Sequence, residues 1–283
     1  MISARSYLYV PGDRPDRLAN AIDRAGDAVI ADLEDAVAPD RKDQAMASVI
    51  EWSRDLRAGH RPQVWVRVNP GERMTDEIQG VVRAQLAGIV VPKANVAALA
   101  AADAALSRAE REQHLRPVSV ALAALVESAQ ALQELAGIAA SPRVAHLMVG
   151  EVDLAAELGI IPSPDDRELL PIRLQLVVAS AAAGLPPPTG PVHVDIRDLG
   201  GLKRSTESLR RQGFGARSAL HPDQVPVIEA VLTPSAEEVR DARALLASHD
   251  GRGGGLDAGG KFVDEAGLRS ARRTVAAADR FGL

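Results

Sequence analysis

Residues 118–128 read VSVALAALVES, an almost unbroken run of small and β-branched apolar side chains that stops at Glu127 and Ser128. A strand apolar at successive rather than alternate positions is buried on both faces, as in a parallel sheet covered by helices. Outward from this run the same pattern recurs at residues 88–91 and 145–149, then at 6–10, 28–32, 64–68, 192–196 and 216–220. Between the runs lie Ala- and Leu-rich stretches such as residues 14–25, 41–56 and 95–111, whose apolar residues fall at helical spacing with charges between them. Eight strand–helix units predict a (β/α)8 barrel, although an open doubly wound sheet shows the same alternation. The residues just past each run favour the barrel. Pro11-Gly12-Asp13-Arg14, Leu33-Glu34-Asp35, Asn69-Pro70, Pro92-Lys93, Glu127-Ser128, Gly150-Glu151-Val152-Asp153, Arg197-Asp198 and His221-Pro222 gather polar residues where a barrel places its site, at the C-terminal ends of the strands.

Composition agrees with this reading. The 283 residues fit one barrel of roughly 250 residues with a terminal extension. With 46% hydrophobic but only 2% aromatic residues, the core has to be built from Ala, Val, Leu and Ile. The net charge of -5 is spread along the chain, which argues against a nucleic-acid or anionic-membrane partner. The absence of cysteine excludes disulfides, thiolate metal sites and a thiol nucleophile, so any metal must sit on oxygen or histidine. No apolar leader or membrane-length run is present, and the cytoplasm is the expected location.

Two stretches interrupt the alternation. GLPPPTGP at residues 184–191 reads as a stiff loop before the seventh strand, and SHDGRGGGLDAGG at residues 248–260 reads as a flexible link. The chain is therefore expected to divide into a barrel, residues 1–247, and a Gly-rich linker with a helical arm, residues 248–283, free to serve as a lid or to reach a neighbouring subunit. The Gly253–Gly255 stretch lacks the following Lys-Ser/Thr and preceding strand of a phosphate loop.

Glu127 and Asp153 follow apolar strands one strand–helix unit apart, where two carboxylates can converge on a hard cation. Magnesium suits so incomplete a shell because it keeps waters and accepts substrate oxygens. Each acid equally suits the N-terminus of a helix, and position alone leaves both readings open. Arg67 sits inside the strand VWVRV, where a charge needs a partner: either a substrate carboxylate or carbonyl at the mouth, or a buried ion pair with Asp32 or Glu34. Asp32, Glu34 and Asp35 crowd the end of the second strand, placed to hold cation-bound waters or to pair with Arg41, Lys42 or Arg67. Lys93 suits either a substrate anion or plain solvent, and His221 more often serves structure than catalysis.

Taken in order, Arg5-Ser6-Tyr7-Leu8-Tyr9-Val10-Pro11-Gly12-Asp13-Arg14-Pro15, Asp32-Leu33-Glu34-Asp35-Ala36-Val37, Val66-Arg67-Val68-Asn69, Val91-Pro92-Lys93, Ala124-Leu125-Val126-Glu127-Ser128, Gly150-Glu151-Val152-Asp153-Leu154 and Leu220-His221-Pro222 resemble the citrate lyase beta-subunit-like branch of the HpcH/HpaI aldolase family. The resemblance spans nearly the whole chain. It implies a homotrimer or hexamer of TIM barrels acting on acyl-CoA or acyl-carrier thioesters of the citryl-, malyl- or methylmalyl type together with a 2-oxo acid. It implies Mg2+ on Glu127 and Asp153, a substrate-binding and catalytic Arg67, further substrate contacts from Lys93 and Arg14, and a supporting role for Asp32, Glu34 and Asp35. Gly260-Lys261-Phe262-Val263-Asp264 stands where the family carries a further acid, which makes Asp264 the expected acid/base, delivered to a neighbouring subunit; its simpler role is a helix N-cap. Asn95, Val152 and Thr189 depart from acids common in the family, which puts the acyl substrate in doubt. Related alternatives are a class II pyruvate-type aldolase on free acids, a malyl-CoA thioesterase, and a non-autonomous subunit of a citrate lyase complex.

Overall fold

The computed structural model describes residues 4–56, 62–83, 85–248, 255–256 and 262–282. They fall into two compact units, one ending at Glu229 and the other beginning at Ala230.

The first unit is a closed barrel of eight parallel strands in sequential order: β1 Ser6–Pro11, β2 Ala28–Asp32, β3 Gln63–Arg67, β4 Leu86–Val91, β5 Ala121–Val126, β6 Val144–Val149, β7 Thr189–Gly190 and β8 Ala216–Ala219. Pairing of Tyr7 with Ser218 and of Leu8 with Ala219 closes the ring. A helix follows each strand. Pro15–Arg24 and Lys42–Arg54 match the first two helical stretches expected from sequence, and Val96–Glu112 matches the third, capped by Asn95 whose side chain accepts from Ala98 N at 2.9 Å.

The barrel interior is filled by Tyr7, Ala28, Ile30, Trp65, Val90, Ala121, Ala123, Leu125, Met148 and Ala216, with Tyr9 packed against them. Side chains in a strand alternate in direction, so these residues recur at every second position of their strands. Both tyrosines of this aromatic-poor chain, and one of its two tryptophans, are spent here. Trp65 meets Tyr7 edge-on at 6.2 Å and His146 at 5.0 Å between ring centroids. Gly88 makes the room: a Cβ there would lie 2.1 Å from the Trp65 ring.

Two expectations about strands change. The seventh strand is the two-residue Thr189–Gly190, inside the stretch read as a loop, and not residues 192–196. Val194 and Ile196 are exposed, so their apolar character does not report burial. The fifth strand begins at Ala121 because Val118 takes a left-handed φ of 58° and hands its N–H to Glu110 at 3.0 Å.

In the second unit the helix Ala236–Ser248 packs on the helix Glu265–Phe281, with Val239, Ala242, Leu268, Ala271 and Ala278 buried. The sequence reading divides the chain at residue 247, whereas this grouping places Ala236–Ser248 with the final helix. A short antiparallel pair, Gly255–Leu256 with Phe262–Val263, precedes that helix. Residues 249–254 and 257–260 of the expected flexible link lie outside the described residues. No helix among the described residues is long and apolar enough to cross a membrane.

Candidate active site

The alternation that fills the barrel also aims its charges. Asp32 lies two residues beyond Ile30, Arg67 two beyond Trp65, and Glu127 two beyond Leu125, so all three continue the interior rows at the C-terminal mouth. Strand register then sets Asp32 beside Arg67.

Arg67 is buried and binds Asp32 with both ends of its fork, Nε to Oδ1 at 2.7 Å and Nη2 to Oδ2 at 2.6 Å. Its Nη1 donates to Asp35 Oδ2 at 3.2 Å and approaches Glu34 Oε2 to 2.8 Å. The guanidinium sits over the Tyr9 ring, 4.9 Å from its centroid. Burial opposes the charge, but the hydrogen bonds and charges of Asp32 outweigh it and hold the group protonated. Nη2 gives one of its two protons to Asp32, and the other has no acceptor among the described residues. The sequence left open a buried ion pair or a substrate contact; the ion pair is present and still leaves this donor.

Asp32 also accepts from the backbone of Glu34 at 2.9 Å and of Ala36 at 3.1 Å, which shapes the loop after β2. Lys42 Nζ donates to the carbonyls of Leu33 and Glu34 at 2.9 and 2.6 Å, and Asn69 Nδ2 donates to Leu33 O at 2.8 Å. Asn69 is in turn held by Glu77, which accepts from its backbone and side chain at 2.7 Å each. Arg41 pairs with Asp13 at 2.9 Å. Burial, aided by Asp35 and Glu127, pushes the Glu34 carboxyl up to about 8 despite Arg67.

Glu127 is buried, and its Oε1 accepts the Lys93 N–H at 2.7 Å. Lys93 achieves this with a left-handed φ of 45°, while its side chain is exposed. The other face of the carboxylate lies against Gly150, where a Cβ would fall 2.6 Å from Oε2. Burial first, then the negative charges of Asp153 and Asp35, push the Glu127 carboxyl up to about 7, against the Lys93 N–H and Arg67. Asp153 is exposed in the first turn of the helix Glu151–Leu158, close enough for its charge to act on Glu127. No group of three or more acids and histidines among the described residues makes a metal cage alone. Two carboxylates at an acid-crowded mouth, one of them pushed up chiefly by burial, suit a magnesium ion that completes its octahedron with water and substrate oxygens.

Beside Tyr9 opens a cavity of about 300 Å³, walled by Leu8, Val10, Pro11, Leu220, His221 and Pro222 and by one face of the helix Pro15–Arg24. Arg17, Asn20, Ala21 and Arg24 supply that face at i, i+3, i+4 and i+7. Arg14 is half-buried and bridges to Asp16, a wall residue, at 2.8 Å. His221 accepts from Asp223 N at 3.2 Å, within its own loop. Asp264 lies in the second unit, exposed, capping the helix Glu265–Phe281 by accepting from Gly267 N at 3.0 Å.

Sequence reasoning did not assign roles to Tyr9, Arg17, Arg24, Glu77 or Arg173. Arg17 and Arg24 had a signal in their shared helical face. Tyr9 had none beyond its place two residues past Tyr7, since only the closed barrel brings it under Arg67.

Residues 5–222 match the family model HpcH/HpaI aldolase/citrate lyase. The (3S)-malyl-CoA thioesterase of Cereibacter sphaeroides is 34% identical over 97% of this chain and 94% of its own. The L-malyl-CoA/beta-methylmalyl-CoA lyase of the same species is 31% identical with the same coverage. Among solved structures, the protein CitE from Mycobacterium tuberculosis, in complex with magnesium, acetoacetate and coenzyme A, superimposes with a TM-score of 0.79 at 27% identity, over 99% of this chain and all of that one.

Proposed function

The chain belongs to the HpcH/HpaI aldolase/citrate lyase family, and from that membership and its barrel mouth we propose that it is a magnesium-dependent carbon–carbon lyase or synthase. It cleaves or forms a 3-hydroxyacyl-CoA thioester of the citryl-, malyl- or methylmalyl-CoA type, the partners being an acyl-CoA and a 2-oxo acid. The observation that carries this reading is the meeting of Arg67, Tyr9 and Glu127 at the mouth, with the Arg17 and Arg24 cavity opening beside Tyr9. That one neighbour in fold holds magnesium, a 3-oxo acid and coenzyme A supports it.

When bound by Glu127 and Asp153, magnesium supplies Lewis acidity toward the carboxylate and carbonyl oxygens of the 2-oxo acid. Arg67 offers its remaining Nη2 proton to the oxygen on which charge develops, and Asp32 keeps the guanidinium plane fixed while it does so. In the synthetic direction the Asp264 carboxylate of a neighbouring subunit removes a proton from the carbon beside the thioester. The enolate carbon then bonds to the 2-oxo carbon, whose oxygen takes the electron pair and is protonated from solvent; cleavage runs the same steps backward. Arg17 and Arg24 in the cavity wall, with Arg14 beside it and Lys93 at the mouth, meet the phosphates of coenzyme A.

A second reading, hydrolysis of the same thioester, is favoured by the 34% identity to a malyl-CoA thioesterase. One experiment separates them: purified protein with Mg2+ is offered malyl-, citryl- and methylmalyl-CoA, with a chelator control. Equimolar acyl-CoA and 2-oxo acid mark the lyase, whereas free coenzyme A and hydroxy acid mark the hydrolase. Cleavage of free hydroxy-oxo acids alone would point to the aldolase. Inactivity without acyl-carrier and transferase chains would point to a citrate lyase subunit.

A further inference from the structure

The first turn that carries Asp153 is gripped by a buried ion pair the reaction itself does not use. Glu151 opens the helix Glu151–Leu158, and Arg173 reaches it from the helix Leu170–Ala182, both residues being buried. Arg173 donates Nε to Glu151 Oε1 at 2.6 Å and Nη2 to Oε2 at 2.7 Å. The same Nη2 donates to Asp166 at 3.1 Å, and Asp166 holds a left-handed φ of 53°.

The two proposed cation ligands are held in different ways. Glu127 is fixed directly, by the Lys93 N–H and by contact with Gly150. Asp153 has no hydrogen bond or ion pair of its own among the described residues, so its place depends on the backbone turn that presents it. That turn belongs to a helix of 8 residues, too short to be rigid without tertiary anchoring. Glu151, two residues before Asp153, is the anchor point, and a planar fork is the one side chain that fixes a carboxylate in both position and orientation.

Resting on the reading of Asp153 as a magnesium ligand, we propose that Arg173 is a positioning residue for the cation site, holding Glu151 and thereby the turn from which Asp153 reaches the ion. Nearby Arg217 on β8 has no hydrogen-bonded carboxylate among the described residues and donates instead to Pro191 O, Leu202 O, Ser205 Oγ and Thr206 Oγ1 at 2.7–3.2 Å. Burial first and then Arg173 lower its pKa to about 10, while Glu151 and Asp166 act against them. Glu151 therefore serves two buried guanidinium groups, and removing it alone is the poorer test.

The test is calorimetric titration of the full-length protein with Mg2+ alone. Arg173→Lys keeps the charge and loses the fork, and is expected to weaken Mg2+ affinity by about tenfold or more, the range typical of residues that orient metal ligands. A second protein carrying Glu151→Gln with Arg173→Met leaves neither member of the pair charged and should fold and show the same weakening. Asp153→Asn, measured alongside, should also bind Mg2+ poorly. If Asp153→Asn loses the ion while both Arg173 variants bind it like the parent, with only their melting temperatures changed, the pair is purely structural and the proposal falls. If Asp153→Asn itself binds Mg2+ like the parent, the ligand assignment beneath it fails.

Discussion

Arg67 gives its fork to Asp32, one further amino group to Asp35 and Glu34, and its face to Tyr9. A lysine cannot make this set of contacts, because its ammonium is a point charge on a flexible stem. Arg67→Lys should lower turnover at least about tenfold with the fold intact, read by steady-state kinetics and circular dichroism. Glu127→Ala should abolish Mg2+ binding in a calorimetric titration. In the parent protein the Glu127 carboxyl titrates at about 7, well above its ordinary 4.5, so below that pH the ion must displace a proton. Mg2+ affinity should accordingly rise with pH up to about 7 and level off above it. Affinity that stays flat from pH 5 to 8 would contradict this. Glu127 and Arg67 were legible in the sequence because a charge ending an apolar run is conspicuous. Tyr9 and Arg173 were not, since an aromatic in a strand and an arginine in a helix are ordinary until barrel closure and helix packing choose their partners.

Opposite the chemistry, the N-terminal face is held by the end of the helix Val96–Glu112. Glu110 there accepts the N–H groups of Val118, Ser119 and Val120 and both Nη groups of Arg143, all at 2.9–3.0 Å. Val118 and Arg143 carry left-handed φ values of 58° and 63°, conformations that side chains avoid unless held. Glu110→Ala leaves the buried Arg143 side chain with Asp103, Ser107 and the Val120 carbonyl, and should cost about 3–5 kcal/mol in denaturant unfolding while sparing Mg2+ affinity. Seven of the eight strands were legible at this scale from continuous apolar runs. The seventh was not, because a two-residue strand between prolines carries no run, and the exposed Val194 and Ile196 beyond it supply a false one.

At the scale of the molecule, the helix Leu170–Ala182 exposes Leu170, Leu174 and Val178 at i, i+4 and i+8, an apolar row on the outside of the barrel unit. The homotrimer or hexamer expected from family likeness gives such a row something to pack against. Leu174→Glu with Val178→Glu should therefore shift sedimentation toward a smaller species that remains folded. Assembly also bears on Asp264. Asp264→Asn and Arg67→Ala proteins should each be nearly inactive, and mixing them after reversible dissociation should restore activity, because some sites then pair an intact barrel with an intact arm. A mixture that exchanges subunits and stays inactive would confine Asp264 to its own barrel or to no site. The barrel was legible as a whole because its core and the charges at its mouth obey one alternation; an assembly is expected only through likeness, since an exposed row of three apolar residues looks the same in a helical sequence as a buried one.

The contact between Glu127 and Gly150 has a consequence for descent. The space a side chain at position 150 needs is already occupied by the carboxylate at 127, just past the end of the neighbouring strand. A side chain at position 150 and the Glu127 carboxylate in its present place exclude each other. A relative with a larger residue in place of Gly150 must therefore carry the acid at 127 in another position, or do without it.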